Sequence, residues 1–326
     1  MPKITYAGQT YECRGDESVL ECLERQGVEL PSSCRTGVCQ TCMMKATSGT
    51  LPAAAQQGLK PRLVEQGYFL ACICRPAQDL SVTEADESAL PKVAATITEK
   101  TPINETIIRL RLKPESTFDY RPGQFLNLHR DNGLTRSYSI ASLPTEDYVE
   151  LQVEYIPGGR MSGWLVQEAK VGETVQIDGP HGDCYYSDSD PEQNLLLIGT
   201  GTGLAPLWGI VRDALARGHR GGIHLFHGSH SRAKLYLVDE LRQLSEAHEN
   251  FLYTPCISGP DNEGFTAGRA NEVALSRFPK LGGWRIFLCG HPKMVNSTKK
   301  QAFLAGADLN QIHADPFTFD IPPPAA

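Results

Sequence analysis

The sequence predicts a multidomain chain that combines α+β and α/β structure, because its hydrophobic pattern changes twice along its length. The first 85 residues alternate short strand-like stretches with one helix. Residues 93–182 alternate apolar and polar positions between turns, as in a small antiparallel barrel. From Asn194 onward, short apolar runs separated by helical segments indicate buried parallel strands. With 326 residues the chain is too long for one typical domain, so we place three domains at 1–88, 89–190 and 191–326.

The N-terminal region combines a predicted hairpin with a single helix. Ile4–Tyr6 and Thr10–Cys13 have the character of strands, and a glycine-containing turn separates them. Ser18 and the acidic residues before it are suited to cap a helix over Val19–Arg25, which Gly27 then ends. The pattern predicts two further strands here, Cys42–Thr47 and Leu70–Cys74, and a polar linker over residues 83–92.

The composition argues against several classes of function. A net charge of −7 gives no basic footprint for nucleic acid. The longest strongly apolar run, Leu195–Ile198, is far too short to cross a bilayer, so no membrane insertion is expected. The chain opens without an apolar leader, and its ten cysteines then indicate a reducing compartment and metal chemistry rather than disulfides. We therefore expect a cytoplasmic protein.

Four cysteines have the spacing of an iron–sulfur site. Cys34, Cys39 and Cys42 follow a C-x4-C-x2-C pattern, and Cys72 comes after 29 intervening residues. In this plant-type spacing, four thiolates hold the two irons of a [2Fe-2S] cluster. Gly37 suits the tight bend with positive φ that such a loop needs. The sequence therefore predicts a centre that transfers one electron at a time.

Two alternatives to this ligand set stay open. Zinc sites favour paired C-x2-C hooks, and this loop holds only one, formed by Cys39 and Cys42. Cys74 follows Cys72 by two residues and is a rival fourth ligand, although the 29-residue gap favours Cys72. The remaining cysteines outside the motifs are interpreted as small buried apolar side chains, namely Cys13, Cys22, Cys184 and Cys256.

A second motif lies in the predicted barrel. Arg136-Ser137-Tyr138-Ser139 resembles the R-x-Y-S flavin signature of the ferredoxin–NAD(P)H reductase superfamily. The resemblance implies that Arg136 neutralises a pyrophosphate, that Tyr138 packs on the flavin ring, and that Ser139 hydrogen-bonds near the flavin N5. Downstream, glycines precede a helix start, where backbone amides can approach phosphate. The candidate binding residues in that segment are Gly159, Met161 and Ser162.

The third motif opens the C-terminal region. A predicted buried strand, Leu195–Ile198, leads into a glycine-rich turn and a helix start, which suits a dinucleotide pyrophosphate. The turn residues expected to bind it are Gly199, Thr200, Gly201, Thr202 and Gly203. Their G-x-G-x-G spacing differs from the Rossmann G-x-G-x-x-G, and it resembles the G-T-G-x-A-P form of the same superfamily. Two later predicted strands, Ile223–His227 and Arg285–Cys289, continue the parallel pattern.

Two further segments extend the resemblance. The run from Cys289 to Met294 is similar to the superfamily's C-G-x-P-x-M segment, which implies that Cys289 and Gly290 lie near the reacting nicotinamide ring. A packed thiol at a strand end is the alternative for Cys289. Near the C-terminus, Asp315-Pro316-Phe317 is similar to an acidic-x-aromatic ending, with Asp where Glu is commoner. Phe317 is thus a candidate flavin contact, or else a surface-packing residue.

Taken in order, these motifs resemble the reductase component of bacterial multicomponent oxygenases over nearly the whole chain. The family implies an N-terminal β-grasp ferredoxin domain, an antiparallel β-barrel flavin domain and a C-terminal α/β nicotinamide domain. The N-terminal position of the cluster domain favours FAD over FMN. We expect an NADH-dependent oxidoreductase that passes electrons through FAD to the cluster and on to a terminal oxygenase. Ser139 and Cys289 are expected to line the hydride transfer.

The nucleotide and the electron acceptor are less sharply specified. Ser258 is followed by Gly259 rather than by the arginine that grips the 2′-phosphate in NADP-selective relatives, which favours NADH. The basic loop 229–234 leaves NADPH possible. A non-oxygenase acceptor, such as a deoxysugar-forming dehydrase, and a redox-sensing module without turnover are the alternatives, because the acceptor surface has no motif.

Overall fold

The computed structural model contains three β-sheets and describes residues 1–86, 89 and 91–318. Part of the predicted linker, namely Glu87, Ser88 and Leu90, lies outside the described residues, as does the chain after Thr318. The boundary predicted between 88 and 89 falls on this gap. Within the described ranges, no helix combines the length and the apolar character needed to cross a membrane.

The first sheet is mixed and has five strands. They are β1 (Lys3–Tyr6), β2 (Gln9–Glu12), β3 (Met43–Ser48), β4 (Tyr68–Leu70) and β5 (Leu80–Glu84). Their order across the sheet is β2-β1-β5-β3-β4, with β1 and β5 parallel and the other pairs antiparallel. The predicted hairpin forms across Ala7 and Gly8, which both have positive φ. A small mixed sheet of this kind is the predicted β-grasp arrangement.

The first helix, α1 (Val19–Arg25), has the predicted bounds. Ser18 and Glu21 form a reciprocal capping box, in which each side chain accepts a hydrogen bond from the other residue's backbone N–H. The buried side chains of α1 are Val19, Leu20, Cys22 and Leu23, and they belong to the core of the first sheet. A shorter helix, α2 (Pro61–Glu65), precedes β4.

The strand predicted over Leu70–Cys74 is wrong beyond its first residue. β4 ends at Leu70, and the backbone N–H groups of Ile73 and Cys74 both donate to the Leu70 carbonyl. The chain therefore turns here instead of continuing along the sheet. This turn directs the Cys72 backbone N–H to the sulfur of Cys42.

The second sheet is antiparallel, as predicted, and has six strands. They are β6 (Val93–Pro102), β7 (Ile107–Pro114), β8 (Phe125–His129), β9 (Thr135–Ser139), β10 (Val149–Glu154) and β11 (Thr174–His181). The strand order is β10-β7-β6-β11-β8-β9. The helical segment predicted after Gly159 consists of a four-residue helix, α3 (Arg160–Gly163), and a wider π turn over Trp164–Glu168.

The third sheet is entirely parallel and has six strands. They are β12 (Leu195–Thr200), β13 (Ile223–Ser229), β14 (Phe251–Ile257), β15 (Thr266–Ala267), β16 (Arg285–Gly290) and β17 (Ile312–Pro316). Their order is β15-β14-β13-β12-β16-β17. The helices of this region are α4 (Leu204–Ala216), α5 (Val238–Ala247), α6 (Ala270–Arg277) and α7 (Pro292–Leu304). This alternation of buried strands and helices is the predicted α/β architecture.

The chain divides into two compact units rather than along the sheets. The first unit contains Met1–Ala94 together with Leu126–Ser137 and Val175–Gly182. The second contains Ala95–Phe125, Tyr138–Thr174 and the chain from Asp183 onward. Segments of β8, β9 and β11 therefore belong to the same unit as the cysteine loop. The predicted three-domain boundaries stay a prediction.

Candidate functional site

The four predicted cluster cysteines lie in two pairs. The backbone N–H of Cys39 donates to Cys34 Sγ at 3.3 Å, and the N–H of Cys34 donates to Cys39 Sγ at 3.4 Å. In the second pair, the N–H of Cys72 donates to Cys42 Sγ at 3.5 Å. Across the described residues, no group of three or more Cys, His, Asp or Glu side chains is arranged to hold a single metal ion. Two pairs of thiols suit a cluster that contains two irons.

The loop that carries these cysteines has an unusual backbone. Gly37 has a φ of 81°, as predicted, and a Cβ there would come within 2.6 Å of the Ile73 side chain. Two residues that carry side chains, Arg35 and Gln40, also have positive φ, at 53° and 60°. Such conformations are uncommon outside glycine, so the surrounding contacts must hold them.

Burial and pairing with another thiol distinguish Cys72 from its rival. A hydrogen bond with the Cys39 thiol lowers the pKa of Cys34 to about 4 although burial opposes the shift, and Thr36 contributes in the same direction. The Cys42 thiol likewise lowers the pKa of Cys72. Cys74 is fully buried in the core of the first sheet, and burial raises its pKa to about 12. The pKa values of Cys39 and Cys42 are raised by the same pairing, so ionisation alone does not identify the ligands. Cys72 is favoured as the fourth ligand because its backbone N–H contacts the sulfur of Cys42, another predicted ligand.

A buried polar network meets the cysteine loop, and the sequence analysis missed it. Asn127 on β8 is 0% exposed, and its Nδ2 donates to the carbonyl oxygen of Cys39 at 2.8 Å. Its Oδ1 accepts a hydrogen bond from the Ser137 hydroxyl at 2.8 Å. The Ser137 backbone N–H in turn donates to Ser33 Oγ at 3.2 Å. Ser33 precedes Cys34, so hydrogen bonds reach both ends of the Cys34–Cys39 segment.

Asp178 on β11 supports this network from the other side. Its carboxylate oxygens lie 2.5 Å from His129 Nε2 and 2.6 Å from His181 Nε2, and Asn127 Nδ2 donates to it at 3.0 Å. Burial opposes ionisation, but the two histidines lower the pKa of Asp178 to about 2. The carboxylate is therefore ionised and fixes the orientation of the Asn127 amide.

The predicted flavin residues lie on β9. Arg136 is half-buried, and its Nη1 donates to the carbonyl oxygen of Thr135 at 2.7 Å. Tyr138 is also half-buried. Ser139 is 8% exposed, and its hydroxyl donates to Asp315 Oδ2 at 3.4 Å. Because side chains alternate along a strand, Arg136 and Tyr138 lie on the same side of β9, and their roles in flavin binding stay a prediction.

The predicted phosphate-binding segment is tightly closed. The backbone N–H of Ile156 donates to Ser162 Oγ at 3.2 Å, and a Cβ at Gly159 would lie 2.5 Å from the same oxygen. Met161 is 2% exposed, so it contributes to packing. The glycine thus permits a close turn here, and the role of Gly159, Met161 and Ser162 in flavin binding stays a prediction.

The two predicted nicotinamide segments contact each other. The turn Gly199–Gly203 connects β12 to α4, and a Cβ at Gly203 would come within 2.3 Å of the Cys289 carbonyl oxygen. A Cβ at Gly290 would come within 2.5 Å of the Thr200 carbonyl oxygen. The His291 backbone N–H donates to Thr200 Oγ1 at 3.1 Å. Glycine is required at both contacts, because the backbones touch.

Cys289 and Phe317 lie beside this turn. Cys289 is fully buried, its sulfur lies 3.5 Å from Cys184 Sγ, and burial raises its pKa well above the ordinary value. The Phe317 backbone N–H donates to the Gly290 carbonyl at 2.8 Å. Asp315 on β17 is the register partner of Cys289 and accepts the Ser139 hydrogen bond. The structure thus brings Ser139, Cys289 and Phe317 into one region.

Comparison with protein-family models gives three matches in the predicted order. A 2Fe-2S iron-sulfur cluster binding domain matches residues 3–77. An oxidoreductase FAD-binding domain matches residues 94–186, and an oxidoreductase NAD-binding domain matches residues 197–300.

Several curated proteins are similar over almost their whole length. The reductase subunit of an aromatic O-demethylase from Amycolatopsis is 32% identical, and the matched region covers 97% of this chain and 98% of that subunit. The reductase component of a naphthalene 1,2-dioxygenase system from Pseudomonas putida is 31% identical, with coverage of 92% and 93%. Among solved structures, the Amycolatopsis cytochrome P450 reductase GcoB matches at 31% identity and a TM-score of 0.70, covering 98% and 99%.

The fold, the sites and these matches together define an NAD(P)H-dependent oxidoreductase that uses FAD and a [2Fe-2S] cluster. Within that class, the chain belongs to the reductase components of oxygenase systems, the branch of the ferredoxin–NAD(P)H reductase superfamily with an N-terminal plant-type cluster domain. The predicted family, fold class and cofactors are confirmed.

Proposed function

We propose that this chain takes electrons from NADH and delivers them to a terminal oxygenase in the cytoplasm. The main support for this proposal is that one chain contains the three cofactor-binding domains. Relatives over at least nine-tenths of the chain are named as reductase components of dioxygenase systems and of a phenol 2-monooxygenase. The content of ten cysteines supports a reducing compartment.

Each cofactor has residues suited to hold it. The proposed cluster ligands are Cys34, Cys39, Cys42 and Cys72. The proposed FAD contacts are Arg136, Tyr138, Ser139, Gly159, Met161, Ser162 and Phe317. The proposed nicotinamide contacts are Gly199, Thr200, Gly201, Thr202, Gly203, Cys289 and Gly290. When bound, FAD accepts a hydride from NADH and supplies single electrons to the cluster.

Ser139 and Cys289 have distinct proposed parts in hydride transfer. The Ser139 hydroxyl donates to Asp315, which holds its oxygen in one position. Cys289 stays a neutral thiol because burial raises its pKa, so it places no negative charge beside the nicotinamide. Both side chains are almost inaccessible to solvent.

The preference for NADH is supported by the backbone around Gly259. A Cβ at this position would lie 2.4 Å from the His230 carbonyl oxygen, so the arginine of NADP-selective relatives does not fit without a backbone shift. Arg232 belongs to the basic loop 229–234, which leaves NADPH possible, and its guanidinium lies over the Phe265 ring, 5.3 Å from the ring centre. We expect a higher kcat/KM with NADH than with NADPH. A large preference for NADPH would contradict this assignment.

The order of reduction tests the electron path. In stopped-flow spectra of the anaerobic protein mixed with NADH, the flavin absorbance should bleach before the cluster absorbance. Bleaching of the cluster first would refute the scheme. The acceptor is tested with purified oxygenase components whose genes lie next to the gene for this chain. These components should convert their substrate when this protein and NADH are added. Turnover only with a non-oxygenase neighbour, such as a sugar dehydratase, would refute the oxygenase assignment.

A further inference from the structure

Hydrogen bonds connect the cysteine loop to the flavin-motif strand through three side chains to which no motif assigns a role. The residues that form this connection, called here the loop–strand link, are Ser33, Asn127 and Ser137. Ser33 Oγ lies 3.0 Å from Ser137 Oγ and accepts the Ser137 backbone N–H at 3.2 Å. Asn127 joins Ser137 to the carbonyl of Cys39. The contacts form a continuous circuit that begins beside Cys34 and ends at Cys39.

Packing alone does not account for Asn127. It is fully buried, and its neighbours Leu126 and Leu128 on β8 are fully buried apolar side chains. A buried amide costs free energy unless its polar atoms are paired, whereas an aliphatic side chain at this position would not. Both polar atoms of the Asn127 amide are paired, with the cluster loop on one side and the flavin-motif strand on the other.

The position of Ser137 connects the predicted flavin contacts with the predicted cluster ligands. Ser137 lies between Arg136 and Tyr138, two of the predicted flavin contacts. Ser33 directly precedes Cys34, the first predicted cluster ligand, and the second ligand is Cys39. The loop also holds positive φ values at Arg35 and Gln40, which its own sequence does not favour. A loop of this kind needs outside contacts to keep one geometry.

We propose that Asn127, with Ser33 and Ser137, is a positioning device that holds the Cys34–Cys39 segment at a fixed place relative to the flavin motif and thereby sets the rate of electron transfer from FAD to the cluster. The inference rests on the proposed function, since it assigns these side chains to one step of it. None of the three residues touches a reacting atom. Asp178, with His129 and His181, orients the Asn127 amide.

The test compares Asn127→Leu and Ser137→Ala with the wild-type holoenzyme. The matched control is Ser142→Ala, because Ser142 is a fully buried serine whose hydroxyl bonds Tyr120 and the Glu150 backbone N–H instead of the cluster loop. Stopped-flow absorbance resolves flavin reduction by NADH from the later reduction of the cluster. We expect the first phase to stay within about twofold and the second to slow by about 10- to 100-fold in both variants.

A second readout does not depend on turnover. Amide hydrogen exchange of the holoenzyme should show faster exchange over residues 33–40 in Asn127→Leu and Ser137→Ala, but not in Ser142→Ala. If Asn127→Leu fails to retain iron, Ser137→Ala and Ser33→Ala carry the test, because both alter half-buried hydroxyls. An unchanged second phase together with unchanged exchange in the variants that retain iron would overturn the proposal.

These measurements distinguish a failure of the positioning role from a failure of the proposed electron path. A wild-type protein whose cluster is never reduced after its flavin would refute the electron path itself. In that case the exchange measurement still decides whether the three side chains hold the loop. A wild-type protein that shows both phases, with variants that show them at equal rates, would refute only the positioning role.

Discussion

At the scale of single residues, the identity of the fourth cluster ligand depends on where two nearby thiols lie. Cys72 is partly exposed, and its backbone N–H donates to the sulfur of Cys42. Cys74 lies two residues further in the hydrophobic core, where burial raises its pKa. Cys72 is favoured as the ligand because it contacts the sulfur of Cys42, another predicted ligand.

This difference predicts opposite outcomes for two alanine substitutions. Cys72→Ala should lose most of its iron and its visible cluster absorbance. Cys74→Ala should keep both. Its free energy of unfolding should be lower by only about 1 kcal/mol, which is the cost of a small cavity. Iron analysis and absorbance spectra of the two purified variants check the prediction. Loss of iron from Cys74→Ala alone would instead make Cys74 the ligand.

A second residue-scale prediction concerns His227 on β13. The side chain is fully buried, and burial lowers its pKa from 6.5 to about 3. Below pH 6.5 the unfolded chain takes up a proton on this ring while the folded chain does not. The free energy of unfolding is therefore unaffected by this ring above pH 6.5. Below that pH it decreases by about 1.4 kcal/mol per pH unit as the pH falls towards 3.

His227→Phe removes this titration and keeps a ring of similar size. We expect the wild-type protein to lose thermal stability relative to the variant between pH 7 and pH 5.5. Three other histidines with lowered pKa values, His219, His224 and His313, are present in both proteins and cancel in the comparison. A stability difference that is independent of pH would contradict the assignment.

At the scale of structural elements, the turn between β12 and α4 depends on glycine for contact rather than for flexibility alone. A Cβ at Gly203 would meet the backbone of Cys289 at 2.3 Å and the Cα of Gly290 at 2.8 Å. These obstacles are main-chain atoms of β16, which cannot rotate away as a side chain can. The two nicotinamide segments therefore fit together only if this position has no side chain.

Gly203→Ala should accordingly weaken both the fold and nucleotide binding. We expect overpacking to cost about 1–3 kcal/mol and the KM for NADH to rise at least about tenfold, since the turn must shift. Gly163→Ala is the matched control, because no atom lies within 4 Å of a Cβ there and the residue is helical. Equal KM values for the two variants would show that the turn tolerates a methyl group.

The elements that the sequence predicted well are those with strong local signals. The helix Val19–Arg25 has a capping box and a buried face, and its bounds agree with the structure. The three predicted parallel strands are short and mostly apolar, and their bounds agree with the structure within two residues. The strand predicted over Leu70–Cys74 is wrong beyond its first residue, because its apolar residues lie in a turn. The hydrogen bonds to Leu70 that form this turn cannot be read from the hydrophobic pattern.

The candidate site divides in the same way. The cysteines and glycines have a signal in the sequence, because the predicted metal ligation and the observed close backbone contacts both restrict the residue type. The loop–strand link was not predictable, since Ser33 and Ser137 are 104 residues apart and serine has no periodic signal. One clue was present: Asn127 interrupts an apolar strand between Leu126 and Leu128.

At the scale of the whole molecule, the first compact unit does not end where the ferredoxin sequence ends. It includes Leu126–Ser137 and Val175–Gly182, which the sequence assigns to the flavin domain. The contacts responsible are polar and distant in sequence, such as Asn127 with Cys39. The cysteine loop therefore depends on chain segments that follow it by about a hundred residues, which predicts that the ferredoxin region is incomplete on its own.

A fragment covering residues 1–94 tests this dependence. It keeps all four proposed ligands, α1 and the first sheet, but lacks the partners of Ser33 and of the Cys39 carbonyl. We expect the fragment to accept a reconstituted cluster and to lose it in air several-fold faster than the full chain, measured by the decay of visible absorbance. The Ser137→Ala full-length protein should fall between the two, because it loses one contact of the link. Equal lifetimes in all three proteins would mean that the ferredoxin region holds its loop without help from the flavin segments.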